Sequence, residues 1–314
     1  MNVSVVLVTK NGGELLKESL QAICSQRLAE PFEILAIDSG SRDGSAALLA
    51  SHPRVRFIAI RAGEFQHGRT RNLAMRQAQG GLVVFLTQDA VPASEDWLAQ
   101  WVDFMAAHSE VAGAFGRQVA RADADAIEAW EIARHFESLS KGPPVTHAAA
   151  TDGSSDRTRR RFFSNVNSCI RKSAWKRIPF PEIDFGEDQA WSVGVQQAGL
   201  ATAYAEHVLV RHSHAYGPID LFGRRYDEAR FARRQFGESM VSSWGEAVRI
   251  ARAHAESNQR HLDGLLPNPP AGARRAATMR AWASSLGQLA GTRLALREGF
   301  IHRWLSLTER RRSA

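Results

Sequence analysis

Leu82–Val83–Val84–Phe85–Leu86–Thr87–Gln88–Asp89–Ala90 is the stretch from which the fold of this chain is read. Apolar, β-favouring residues stop abruptly at polar ones, the pattern of a short strand buried on both faces. In open α/β sheets, ligands gather outside the carboxyl ends of the strands. Asp89 falls at such an end, with Pro92 breaking the chain just after it. A carboxylate there suits a hard cation held against a phosphate. The plainer alternative is an aspartate that only caps a helix starting near Glu95.

Working outward, Val3–Thr9 reads as a first strand, Lys10–Gly13 as a turn and Glu14 to Gln26 as an amphipathic helix. Phe32–Ile37 is a second strand, and Asp43 or Ser45 is placed to cap a helix over Ala46–Ala50. Val55–Ile60 is a third strand, and Arg69–Gln79 is a helix closed by Gly80–Gly81. Strand and helix thus alternate four times in roughly the first ninety residues, the signature of a parallel sheet with right-handed crossovers. Asp38, ending the second strand, suits hydrogen bonds from a nucleotide base or ribose. Neither a dinucleotide G-x-G-x-x-G nor a P-loop follows the first strand, which argues against dehydrogenases and P-loop ATPases.

The 314 residues are 44% hydrophobic and 23% charged, an ordinary globular composition. Two cysteines, Cys24 and Cys169, make no disulfide framework and fit a reducing compartment. No apolar run approaches the ~20 residues that span a bilayer, and Met1–Val8 lacks the features of a signal peptide. The net charge of +7 is uneven: Leu221–Ala314 carries 17 Arg, no Lys and 8 acidic residues, and the first 220 residues are slightly acidic. Such a bias points to anionic lipid, nucleic acid or a phosphorylated substrate, or to a solvated helical face.

Val5–Lys10 together with Ala36–Ser45 resembles the opening of inverting family-2 glycosyltransferases of the GT-A fold. Gly63–Asn72 followed by Phe85–Ala90 is similar to the bacterial rhamnosyltransferase branch, which uses dTDP-L-rhamnose. Gly113–Gln118, Phe163–Ser168 and Phe185–Trp191 also match, so the resemblance extends over about residues 1–236. It implies an α/β GT-A fold: a mostly parallel central sheet flanked by helices, with a C-terminal helical extension. The expected domains are a catalytic domain over 1–220 and an Arg-rich helical extension over 221–314. The catalytic domain divides into a nucleotide-sugar half, about 1–118, and an acceptor half, about 119–220. The implied activity is transfer of a 6-deoxyhexose, L-rhamnose, to a glycan hydroxyl in bacterial surface polysaccharide synthesis.

The resemblance also assigns roles. Thr9, Asp38, Ser39, His67, Arg71, Gln88 and Asp89 fall to the nucleotide sugar, and Asn165, Asn167 and Trp191 to the acceptor. Asp188 is the expected base, supported by Glu187. Both open a helix, where its N-terminus favours carboxylates, and the alternative is a capping pair without chemistry. Family-2 enzymes usually carry Asp-x-Asp where this chain has Thr87–Gln88–Asp89, so Asp89 alone is left to hold Mg²⁺ or Mn²⁺ with the donor diphosphate. Val208–Tyr216 reads as a strand ending in an exposed pair of histidines on one face; His214 is favoured over His212 as a second ligand. Asp152–Asp156 has the composition of a mobile loop ordered by substrate, and Trp130, Trp175 and Trp191 are candidate sugar platforms.

Beyond Leu221 the chain reads as helical, with a break at Leu265–Gly272. Past the break, Met279, Trp282, Leu286, Leu289, Leu296, Phe300 and Leu307 recur at helical spacing, interleaved with Arg280, Arg293, Arg297, Arg303 and Arg310. This is a basic amphipathic helix or helix pair, for docking on the catalytic domain or a second subunit, or for an anionic membrane surface. The expected partners are a nucleotide-sugar donor and a glycan, free or linked to polyprenyl diphosphate. The expected setting is cytoplasmic, peripheral on the inner face of the cytoplasmic membrane. A nucleic-acid partner is not expected, because the N-terminal part has no recognisable module for one. A UDP-hexose donor, a non-catalytic sugar-nucleotide binder and a nucleic-acid-binding protein are the alternative readings.

Overall fold

The structure, a computed structural model, describes residues 2–146, 159–266 and 268–313. The expected substrate-ordered loop Asp152–Asp156 lies outside the described residues. The chain divides into two compact units, Met1–Ala122 with Glu131–Ser213, and Asp123–Trp130 with His214–Ala314.

In the first unit the elements run β1 (Val3–Thr9), α1 (Gly13–Cys24), β2 (Glu33–Asp38), α2 (Ser45–Ser51), β3 (Val55–Ala59), α3 (His67–Gln77) and β4 (Leu82–Thr87). Then come β5 (Val91–Pro92), α4 (Trp97–Ala107), β6 (Val111–Val119), α5 (Ala126–Ser140), β7 (Val145–Thr146), β8 (Asn167–Arg171), α6 (Lys172–Arg177), α7 (Glu187–Gln197) and β9 (Ala201–Arg211). They form one sheet in the order β3-β2-β1-β4-β8-β6-β9-β5, with β7 on β9. The first four strands are parallel, as the βα alternation requires. Beyond β4 the sheet is mixed: β8 runs antiparallel to both β4 and β6, β6 and β9 are parallel, and β5 and β7 run back along β9. The expected parallel character therefore belongs to the β3-β2-β1-β4 side of the sheet. The short return strands beside β9 need no crossover helix.

Strict alternation in the central strands serves two cores. Val5 and Leu7 of β1 and Val84 and Leu86 of β4 pack with Leu16, Leu20 and Ile23 of α1 and Trp97 and Trp101 of α4. Val6, Val83 and Phe85 face the other way, onto Ala74 and Met75 of α3, Trp175 of α6 and Trp191 and Val195 of α7. Both faces are apolar because helices cover both, the usual state of parallel strands. The register aligns the carboxyl ends: Thr9 stands beside Asp38, and Val8 beside Thr87. The loops after β1, β2 and β4 therefore emerge at one edge.

The second unit is helical: α8 (Pro218–Phe236), α9 (Trp244–Leu265), α10 (Ala271–Arg293), α11 (Phe300–Leu305) and α12 (Leu307–Ser313), joined by the first residues of α5. The break read at Leu265–Gly272 separates α9 from α10. α8 and α10 approach closely because Gly287 and Gly291 face the backbone of α8. A Cβ on either would stand 2.4 Å from the Phe222 carbonyl oxygen or 2.2 Å from that of Tyr226. The expected apolar stripe is only partly inward. Leu289 and Leu307 are buried, whereas Met279, Leu296 and Phe300 are exposed. No helix among the described residues is long and apolar enough to cross a membrane.

Candidate active site

The edge formed by the ends of β1, β2 and β4 is fastened by side chains. Asp38 is buried and accepts from the Gly40 and Ser41 amides at 3.0 and 2.9 Å and from the Thr9 hydroxyl at 2.9 Å. The Ser41 hydroxyl also donates to it. Ser39 donates its amide and hydroxyl to the Thr9 carbonyl at 2.9 and 3.0 Å. Gln88 bridges to the β1 loop, accepting from the Lys10 amide at 2.8 Å and donating to its carbonyl at 3.0 Å. Thr9, Asp38, Ser39 and Gln88 thus act first as ties that fix where these loops stand. Neither residue expected to cap α2 is its N-cap, which is Gly44 in the left-handed region at φ 91°; Asp43, one residue earlier, accepts from the Ser45 amide at 3.0 Å.

One residue beyond Gln88, the Asp89 carboxylate lies 3.5 Å from His212 Nε2. His212 directly follows β9; its amide donates to the Val119 carbonyl at 2.9 Å, and its ring is buried. Its Nδ1 sits 3.0 Å from Gln118 Oε1. With Nδ1–H donated to that carbonyl, Nε2 turns a lone pair toward the carboxylate, and two facing acceptors are reconciled by a proton or a metal ion. One ligand atom each of Asp89, His212 and His214 lie within 4.8 Å of one another, so this oxygen-and-imidazole set fits a divalent cation. His212, read from the sequence as exposed, is not, and both histidines stand with Asp89. His212 is buried and oriented by Gln118. Thr87, where the family has its first aspartate, has its hydroxyl buried without a partner among the described residues, which leaves Asp89 as the carboxylate of that pair.

The second half of the site stands at the start of α7. Gly186, in the left-handed region at φ 74°, turns the chain into the helix, so Glu187 and Asp188 open it. Glu187 pairs with Arg71 of α3 at 2.5 Å, both side chains nearly excluded from solvent. The Arg71 guanidinium also lies over the Phe85 ring of β4, 5.9 Å from its centroid. Its buried Nε has no partner among the described residues, a donor still open to a water or a substrate oxygen. His67, the first residue of α3, reaches Arg71 through Nδ1 at 3.3 Å. Asp188 accepts from the Asn165 amide at 3.2 Å and the Gln189 amide at 2.8 Å. Burial pushes the Asp188 carboxyl up to about 6 and the Glu187 charge adds to this; Arg71 and the two amides act against them. A carboxylate poised there is suited to take a proton near neutrality.

Asn165 connects the two halves. Its side-chain nitrogen lies 3.5 Å from Glu187, and its neighbour Val166 accepts from the Thr87 amide at 3.2 Å. Arg71, Glu187, Asp188, Asn165 and the end of β4 are therefore one connected arrangement.

Three expected contacts are replaced by structural roles. Asn167 is fully buried; its oxygen accepts from the Trp97 and Trp101 indoles at 3.0 and 3.2 Å, and its nitrogen donates to the Val208 carbonyl at 2.9 Å. An amide so enclosed has nothing left for an acceptor. Trp191 is buried against Phe163 and Phe180, donates to the Ile178 carbonyl at 2.7 Å, and leaves room only for glycine at 113. Trp175 is likewise buried, its indole donating to Asn72 at 2.8 Å. In the second unit, Trp130 stacks on His261 with ring centroids 4.4 Å apart. Sequence reasoning missed the burial of His212 and Gln118 as its support. The signal was present in Gly113–Gln118, a run whose last residue is a polar side chain near the end of β6.

This fold and site define a glycosyltransferase, and the chain belongs to glycosyl transferase family 2, whose sequence profile matches residues 4–147. Over 279 residues it is 30% identical to the O-antigen chain rhamnosyltransferase RfbN of Salmonella typhimurium, covering 86% of this chain and 83% of that one. It is 28% identical over 276 residues to the O-antigen chain rhamnosyltransferase WbaN of Salmonella anatum, covering 85% and 82%. Among solved structures, Staphylococcus aureus TarS 1–349 in complex with UDP superposes with a TM-score of 0.55 at 17% identity, covering 91% of this chain and 90% of that one. The mannosyltransferase PcManGT from Pyrobaculum calidifontis, in complex with GDP-Man and Mn²⁺, gives 0.52 at 17% identity, covering 97% and 78%. At such identities these two similarities establish the shared GT-A fold.

Proposed function

We propose that this chain transfers L-rhamnose from dTDP-L-rhamnose, with inversion at the anomeric carbon, to a hydroxyl of a glycan carried on polyprenyl diphosphate. The observation that carries the chemistry is the Glu187–Asp188 pair opening α7, with Asp188 held near 6 and Glu187 clamped by Arg71. The sugar is supported by the two O-antigen rhamnosyltransferase relatives, similar over most of the chain. The catalytic part is residues 1–220, with 221–314 as an accessory extension, working at the cytoplasmic face of the membrane.

Asp188 takes the proton of the acceptor hydroxyl as its oxygen attacks the anomeric carbon. The bond from that carbon to the nucleoside diphosphate breaks, and its electron pair leaves with the diphosphate. Glu187 stays paired with Arg71, and Asn165 holds Asp188 in place through its amide. The loops fixed by Thr9, Asp38, Ser39 and Gln88 shape the nucleotide pocket, with His67 and Arg71 beside the donor. Asp89, His212 and His214 would hold Mg²⁺ or Mn²⁺, which when bound neutralises charge on the departing diphosphate.

A donor panel of dTDP-rhamnose, UDP-glucose, UDP-galactose and GDP-mannose, read by thermal shift with and without Mn²⁺, tests this reading. Stabilisation by dTDP-rhamnose, strengthened by metal, is expected. Stabilisation by UDP sugars alone removes the rhamnose assignment. The anomeric configuration of the product, read by NMR, tests inversion.

A further inference from the structure

The segment from Leu296 to Trp304 turns its large apolar side chains to solvent. Leu296 is 86% exposed, Phe300 76%, Ile301 54% and Trp304 68%. A cluster of this size on so short a segment calls for something to cover it. The outward facing is imposed from behind. Tyr226 reaches His302 Nδ1 at 3.3 Å, and Arg230 donates to the Ala295 carbonyl. Asp227 accepts from the amide and hydroxyl of Thr308, both at 2.9 Å, and Ser306 and Leu307 are buried. These contacts occupy the buried side of the segment and leave Phe300 and Trp304 on its outer side.

The charge around them has one sign. Arg293, Arg297 and Arg303 are exposed, and their side chains have no partner among the described residues. The one acidic residue of the segment, Glu298, is engaged by Arg230 at 2.6 Å and Arg234 at 2.5 Å, and these ion pairs hold its carboxyl below the usual range.

We propose that this apolar and arginine-rich surface of the second unit docks on an anionic lipid bilayer. The chemistry fits each layer of such a surface. Phenylalanine and isoleucine enter the acyl boundary, tryptophan suits the interface, and unpaired arginines meet the headgroups. A second copy of this chain is the poorer occupant, because a two-fold contact through the patch would set its unpaired arginines against their own equivalents. The chain has no spanning helix among the described residues, so the attachment lies on the membrane rather than through it. The inference stands on the second unit alone and does not depend on the identity of the donor sugar.

The test is flotation of the full chain with vesicles of phosphatidylcholine alone or mixed with phosphatidylglycerol, at low and high salt. The chain is expected to float with the anionic vesicles at low salt and to stay behind with the neutral ones. Phe300→Ser with Trp304→Ser, at exposed positions where folding should survive, is expected to weaken partitioning by at least ~10-fold. Arg297→Gln with Arg303→Gln should cost roughly fivefold per arginine and reduce the salt dependence. The proposal is overturned if the parent chain ignores anionic vesicles at low salt, or if the Phe300/Trp304 variant floats as well as the parent. It is equally overturned if light scattering finds a dimer that the same variant converts to monomer, since a second copy then covers the patch.

Discussion

Arg71 and Glu187 meet at 2.5 Å with side chains only 10% and 5% exposed, one from the helix before β4 and one from the start of α7. A buried pair of this kind contributes little net stability by itself, yet removing one partner strands the other charge. Arg71→Met is therefore expected to destabilise the fold by about 3–5 kcal/mol, measured by chemical denaturation. Arg71 also draws the Asp188 carboxyl downward. In the milder Arg71→Lys, which keeps the charge but loses the planar fork, the acid limb of the rate profile should move to higher pH.

Asp188→Asn should lower the transfer rate by roughly 10²–10⁴-fold while leaving donor binding intact. In the parent enzyme the rate should rise with pH through about 6, as Asp188 becomes able to accept a proton. The stability consequence has the opposite sign. Because the folded carboxyl lies above its ordinary value of 3.8, the native state holds the extra proton. Its contribution is full below pH 3.8 and lost as pH rises through about 6. The asparagine variant should accordingly gain stability over the parent at neutral pH, and the gain should vanish in acid. Near-normal turnover in this variant would remove Asp188 from the mechanism.

His212→Ala should weaken Mn²⁺ binding, followed by calorimetry, more than any other single histidine change. Gln118→Ala, which removes the partner of the far ring nitrogen together with a donor to Ser164, should cost about 10–100-fold in metal affinity. Equal affinity in the glutamine variant would show that its hydrogen bond does not orient the ring.

Asn167→Ala strips the Trp97 and Trp101 indoles and the Val208 carbonyl of a buried partner. A loss of roughly 2–4 kcal/mol in stability is expected, with acceptor KM unchanged in the protein that remains folded. A raised KM without loss of stability would restore Asn167 to the acceptor site.

The parallel half of the fold was legible because β1, β2 and β4 are short apolar runs ending at polar residues, and period and punctuation agreed. Element ends shifted slightly: the helix read from Arg69 begins at His67, where Gln66 leaves extended backbone. The mixed half was hard to read because β5 and β7 are two residues each, too short for any pattern, and Pro92 suggests a break where it sits in a strand. Within the site, residue identity was more legible than burial. The same motif, Phe163–Ser168, supplies Asn165 at the edge of α7 and Asn167 inside the core, two positions apart on one strand entry. Sequence cannot distinguish an asparagine that greets a substrate from one that fastens two tryptophans. The ion pair of Arg71 with Glu187 joins positions that no local spacing connects.

The division of β4 between two cores limits how this enzyme can change. Deleting one residue within Leu82–Leu86 would exchange the two cores at once, sending Val83 and Phe85 to the side built for Val84 and Leu86. The strand is thus a fixed rail, and its carboxyl edge cannot drift by small steps. Variation in substrate among descendants of such a chain must come from replacing the loops that leave the rail, the segments after Thr9, Asp38 and Thr87, while the rail itself is inherited whole.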